Sequence, residues 1–154
     1  KGDSEIMKIP PRNPNEPILD KGLVRAIILQ SIAIATGSLL AYRWGLKTYG
    51  ETNLIIARSI TFATLITAEL LRAYSSRSER HTIFEIGVFS NKTLTYATLF
   101  SFILLIIVIY VPFLQPIFDT YPLSFMDWQI ILLCSSLPIV VGELYKVFNR
   151  KRSL

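Results

Sequence analysis

Four apolar stretches divide the chain, and polar or charged connections separate them. Each stretch is measured against the roughly 20 residues that a helix needs to cross a bilayer. The first, Ala26 to Tyr42, holds 17 residues without a charge. Leu23 and Val24, on the far side of Arg25, bring it to spanning length and predict a helix over 22–46. The third, Thr93 to Phe118, holds 26 uncharged residues, and Pro112 and Pro116 end its helix near Val111, giving 93–111. The fourth has 15 uncharged residues from Trp128 to Gly142, and Glu143, Tyr145 and Lys146 carry it to an interface, giving 127–148. Inside it Pro138 has no N–H for the carbonyl of Cys134, so a kink is expected there.

The second stretch, 54–74, breaks the pattern. Arg58 stands near one end and Glu69 deep inside, with ten uncharged residues between them, Ser59 to Ala68. Such a helix should not face lipid all round. Ala57, Thr61, Thr64 and Ala68 recur at spacings of four, three and four, a stripe of small residues against which another helix packs closely. Ala33, Gly37 and Ala41 offer the match on the first helix, so those two helices are expected to pair as a hairpin through a short 47–53 loop.

Outside the spans, residues 1–21 form a proline-rich arm in which Pro10, Pro11, Pro14 and Pro17 oppose helix or ladder, and 149–154 form a basic tail. Thirteen Lys and Arg residues lie on the side of the termini and the 72–92 loop, against Arg43, Lys47 and Arg58 on the other. This bias predicts an all-α membrane protein of four transmembrane helices with both termini cytoplasmic. Aromatic residues, among them Tyr42, Trp44, Tyr49, Tyr110, Tyr121 and Trp128, gather at the opposite ends of the helices.

Composition sharpens this. Hydrophobic residues make up 51% of the 154, with a mean hydropathy of +0.45, more than one soluble core of this size can hide. One cysteine and one histidine exclude a disulfide framework and a Cys/His zinc site. The net charge of +5 is placed beside apolar runs, so its partner is lipid headgroup and not nucleic acid. The first residue is Lys1, with no initiating Met and no signal-peptide pattern, which suggests a piece of something larger.

Glu69 is the leading candidate for chemistry. An acid at the centre of a spanning helix costs about 2.5–3.5 kcal/mol on insertion scales unless it is protonated, paired or bound to a cation. One reading makes it a hard oxygen ligand for a cation, able to trade a metal ion for a proton. The other makes it the ion-pair partner of Arg72, three residues on. Glu143 has Lys146 three residues on and water nearby, which favours a structural pair. Cys134 reads as a small packing residue, and His81 sits in a charged loop. Asn91-Lys92-Thr93 matches a glycosylation sequon on the side predicted to be cytoplasmic, where that machinery is absent. No phosphate loop, nucleophile elbow or HExxH stretch occurs.

The stretch Pro10-Pro11-Arg12-Asn13-Pro14-Asn15-Glu16-Pro17 resembles the segment leading into the seventh transmembrane helix of type II P-type ATPases. Ala57-Arg58-Ser59, Phe62, Thr67-Ala68-Glu69-Leu70, Ser78-Glu79, Phe84 to Gly87, Asn91-Lys92, Pro122-Leu123, Trp128, Pro138 and Glu143 to Lys146 continue the likeness, which covers essentially the whole chain. Among subfamilies it is most similar to bacterial calcium pumps. The resemblance implies the seventh to tenth membrane helices and C-terminus of a larger pump in the bacterial plasma membrane, exchanging Ca²⁺ for protons. It implies that Glu69 is a ligand of the transported Ca²⁺, and that ATP and Mg²⁺ bind elsewhere in the parent protein, whose other helices and cytoplasmic domains are the partners. It also implies that the 10–17 stretch meets the phosphorylation domain. The fragment itself has no D-K-T-G phosphorylation motif. The competing expectation is a free-standing tetraspan channel or scaffold subunit without ATP chemistry.

Overall fold

The computed structural model describes residues 21–77 and 82–150. The proline-rich arm, Ser78 to His81 and residues 151–154 of the basic tail lie outside the described residues.

Helix α1, Lys21–Tyr49, has 29 residues, about 43 Å of rise. It runs to Tyr49 because nothing before Gly50 breaks it. Gly50, at φ 78°, donates its N–H to Leu46 O and turns the chain out of the helix. One 3₁₀ turn, Glu51–Asn53, leads into α2, Leu54–Ser75. The connection is a tight hairpin, and the two helices touch closely at its base. A Cβ on Gly45 would stand 2.8 Å from the Cα of Ala57.

The small-residue stripe is used, but divided. Ala57, Thr64 and Ala68 are buried on α2 and Thr61 is half-buried, while Ala33 and Ala41 are buried on α1. Gly37 departs from the expected pairing, since its Cα faces the main chain of Cys134. Helix α1 packs against the fourth apolar segment as well as against α2, so its small positions serve two neighbours.

A short helix, α3 (Ile83–Ile86), follows and carries a reciprocal Thr82/Glu85 capping box. Helix α4, Lys92–Tyr110, begins at Asn91, whose Oδ1 accepts the Leu94 N–H, so the sequon asparagine acts as a helix cap. It ends at Val111, immediately before Pro112. A single turn, α5 (Gln115–Phe118), and Asp119 in the left-handed region lead to the last span. That span is broken into α6, Phe125–Ser135, and α7, Leu137–Arg150, at Ser136. The break falls where Pro138 was expected to kink it.

Four helical stretches are long and apolar enough to cross a membrane: Gly22–Tyr49, Glu51–Ser75, Lys92–Tyr110 and Phe125–Phe148. Among the described residues there is no strand. The core joins Ala41, Ile60, Ala63, Leu105, Ile109, Leu123, Ile131 and Cys134. Hydroxyls inside the helices bond back to their own chain, as in Ser38 to Ile34 O, Ser59 to Ile55 O and Thr64 to Ile60 O, each 2.8 Å. These hydroxyls are thereby satisfied where water cannot reach them, whereas the buried Thr67 Oγ1 has no partner among the described residues.

Candidate functional site

Helix α2 has two faces. One, with Ala57, Ile60, Ala63, Thr64, Thr67 and Ala68, is buried against the rest of the bundle. The other carries Arg58, Thr61, Leu65, Glu69 and Arg72 at spacings of three, four, four and three, and Arg58, Leu65 and Glu69 on it are exposed. The burial of the first face fixes the rotation of the helix and leaves Glu69 on the side that the described residues do not cover.

Glu69 keeps 49% of its side-chain surface and Arg72 keeps 40%. Arg72 donates to a single oxygen, Glu69 Oε2, from Nη2 at 2.7 Å and from Nε at 2.9 Å. Oε1 is left without a donor among the described residues. An i,i+3 pair of this exposure is worth a few tenths of a kcal/mol in water. No group of three or more His, Cys, Asp or Glu that could hold a metal occurs among the described residues. Glu69 therefore stands in no cluster of carboxylates among the described residues. The guanidinium of Arg58, further along the same face, reaches Asp119 at 3.4 Å.

Glu143 is different. Its Oε1 accepts from Ser75 Oγ at 2.7 Å and from Lys146 Nζ at 2.9 Å, and its Oε2 accepts the main-chain N–H of Ile83 at 2.9 Å. Lys146 Nζ also donates to Ser75 O at 2.6 Å. The carboxylate is saturated by donors from three elements and ties α7 to the end of α2 and to α3. This is the structural pair that the spacing to Lys146 suggested, with two further partners that spacing could not reveal.

Asp127 is a site that the charge pattern passed over, because it falls just before the uncharged run beginning at Trp128. It is 1% exposed. It accepts the Ser124 N–H at 2.6 Å and the Tyr49 hydroxyl at 3.0 and 3.1 Å. The Ser124-x-x-Asp127 spacing is a capping-box signal legible in the sequence, whereas the Tyr49 contact joins residues 78 apart. Cys134 is buried in the core cluster, as a packing residue should be.

Residues 1–148 match the family described as "Cation transporting ATPase, C-terminus". The chain is 36% identical over 152 residues to the human calcium-transporting ATPase type 2C member 1, covering 97% of this chain and 16% of that protein. It is 33% identical to calcium-transporting ATPase 1 of Saccharomyces cerevisiae, covering 98% of this chain and 16% of that protein. It is 34% identical to a calcium-transporting ATPase of Bacillus subtilis, covering 92% of this chain and again 16% of the relative. The chain thus spans about one sixth of the length of these relatives. With four helices of spanning length and a match along nearly all of its residues, the chain belongs to the cation-transporting P-type ATPase family, as the C-terminal membrane domain of its members.

Proposed function

We propose that this chain forms the last four membrane helices of an ATP-driven Ca²⁺ pump, bracing the moving helices and giving one carboxylate, Glu69, to the ion site. The termini and the 72–92 loop then face the cytoplasm, and the membrane is a bacterial plasma membrane. ATP and Mg²⁺ act in the cytoplasmic domains of the parent protein. The observation that carries the reading is the placement of Glu69 on the uncovered face of α2, where helices from the rest of the pump have room to pack. A carboxylate in that position is too costly to leave bare in a bilayer. Bound Ca²⁺ offsets its desolvation, and on release a proton takes the place of the metal, which couples transport to counter-exchange.

Arg72 supports a second reading, in which it neutralises Glu69 permanently through the two hydrogen bonds to Oε2. The two readings separate in the full-length protein by the Ca²⁺ dependence of phosphoenzyme formation. Glu69→Gln keeps the size and one oxygen, so a ligand role shifts that curve to much higher Ca²⁺ while Arg72→Gln shifts it little. An unchanged curve for well-folded Glu69→Gln defeats the ligand role. A free-standing channel or scaffold subunit predicts no phosphoenzyme at all from the gene that encodes this chain.

A further inference from the structure

The connection between α2 and α4 carries two aromatic side chains that the bundle does not use. Phe84, on α3, is 84% exposed and Phe89 is 73% exposed, the first far beyond ordinary surface exposure for so apolar a group. The segment is nonetheless well fixed. Arg77 holds it from below, donating to Gly87 O at 3.1 Å and to Ser90 Oγ at 2.8 Å, and the capping box closes α3.

Its depth follows from its partners. Ile83 N–H reaches Glu143, which lies inside the span Phe125–Phe148, and the same carboxylate takes the hydroxyl of Ser75, the last residue of the span Glu51–Ser75. Helix α3 therefore sits at the level where the spans end, and not out in water beyond them. Phe84 follows Ile83, whose N–H is bonded to Glu143 of α7, and the exposed apolar residues Val140, Leu144 and Val147 of α7 run toward that end. Phe89 lies three residues before Lys92, at the foot of the α4 stripe Tyr96, Phe100, Ile103, Ile107, which is exposed along the whole span. A stripe of spanning length with no polar side chain inward of Tyr96 is a lipid-facing surface. Lys92 at its foot, with Tyr96 one turn in, is the arrangement that membrane–water interfaces select.

We infer that the 82–91 connection is an interfacial anchor, with Phe84 and Phe89 inserted in the headgroup and upper acyl zone of the adjacent leaflet, each continuing a lipid-facing helix stripe. This requires the four spans and nothing of the pump reading. Its occupant is lipid. A cytoplasmic domain seated on the same aromatics is the competing occupant, and the test separates the two.

Phe84→Cys and Phe89→Cys are introduced singly into the full-length protein with other reactive cysteines removed, labelled with an environment-sensitive fluorophore, and reconstituted into vesicles. Leu99→Cys on α4 serves as the deep reference. Lipids spin-labelled near the headgroup should remove most of the emission at 84 and 89, while lipids labelled deep in the acyl chain should act mainly at 99. Emission at both 84 and 89 that neither lipid quenches overturns the inference. Aqueous iodide reaching those fluorophores would then show a loop in water, and iodide exclusion would show cover by protein.

Discussion

The carbonyl oxygen of Cys134 points at the Cα of Gly37, so closely that a Cβ there would stand 2.5 Å from it. Pro138 denies that oxygen its ordinary donor, and at the break between α6 and α7 the carbonyl lies against α1, where only a glycine leaves room. Packing of main chain against main chain is how membrane helices associate without a hydrophobic driving force between them.

Glycine substitutions should therefore rank by what they strike. Gly37→Ala meets a backbone oxygen and Gly45→Ala meets the Ala57 Cα at 2.8 Å, and neither neighbour moves without moving a helix. Each should cost about 1–3 kcal/mol despite the better helix propensity of alanine. Gly142→Ala meets Gln30 Nε2 at 2.7 Å, the far end of a flexible side chain, and Ser75 Oγ at 3.2 Å, no main-chain atom, and should cost less than the other two. Survival of the monodisperse full-length protein in detergent after heating gives the order. Equal tolerance of all three would refute the close-packing account.

The Glu143 cluster predicts an asymmetry. Glu143→Ala strips an acceptor from Ser75, Ile83 and Lys146 and takes the neighbouring carboxylate from a buried ammonium, which should cost about 3 kcal/mol. Lys146→Met leaves the carboxylate with the Ser75 hydroxyl and the Ile83 N–H, and should cost less. Hydrogen exchange of the Ile83 amide checks the origin of the difference, since it should lose protection in Glu143→Ala and keep much of it in Lys146→Met.

Orientation is checked with an impermeant thiol reagent on intact cells. Thr52→Cys, in the exposed 3₁₀ turn, should label, and Ser76→Cys, at the exposed end of α2, should label only after permeabilisation. Thr120 is unsuitable as a reporter, being 3% exposed with its hydroxyl on Val108 O. The reverse pattern would invert the bundle against a bias of thirteen basic residues to three.

The spans were legible because the bilayer imposes length and apolarity on each of them, and proline marks where they stop or bend. Hydropathy also singled out Glu69, an acid behind ten uncharged residues with Arg72 three residues on. The small-residue stripe named the face of α2 that is buried, through Ala57, Thr64 and Ala68, without naming every neighbour that covers it. Gly37 shows the gap: its spacing fits a partner on α2, yet α6 takes it once the Cys134 carbonyl is freed. Contacts such as Ile83 to Glu143, 60 residues apart, carry no periodic signal at all.

Asp127 gives the most discriminating prediction, because its two jobs can be separated. It caps α6 through Ser124 and tethers α6 to the end of α1 through Tyr49. Ser124→Ala removes the side-chain cap and a long 3.4 Å contact with the Tyr49 hydroxyl, leaves the Tyr49–Asp127 tether, and should cost about 1 kcal/mol. Tyr49→Phe removes the tether alone and leaves a buried carboxylate short of a donor, which should cost about 1.5–3 kcal/mol. Asp127→Ala removes the acceptor of both the Tyr49 hydroxyl and the Ser124 N–H, while Ser124 Oγ keeps the residue-127 amide, and should cost the most. In the Asp127→Ala background Tyr49→Phe should then cost far less, since the hydroxyl keeps only its 3.4 Å contact with Ser124 Oγ. Thermal unfolding of the four proteins in one detergent closes this double-mutant cycle. If Tyr49→Phe costs the same with and without Asp127, the tyrosine acts by packing against Trp44, whose ring centroid is 6.3 Å away, and the α1–α6 tether carries no stability.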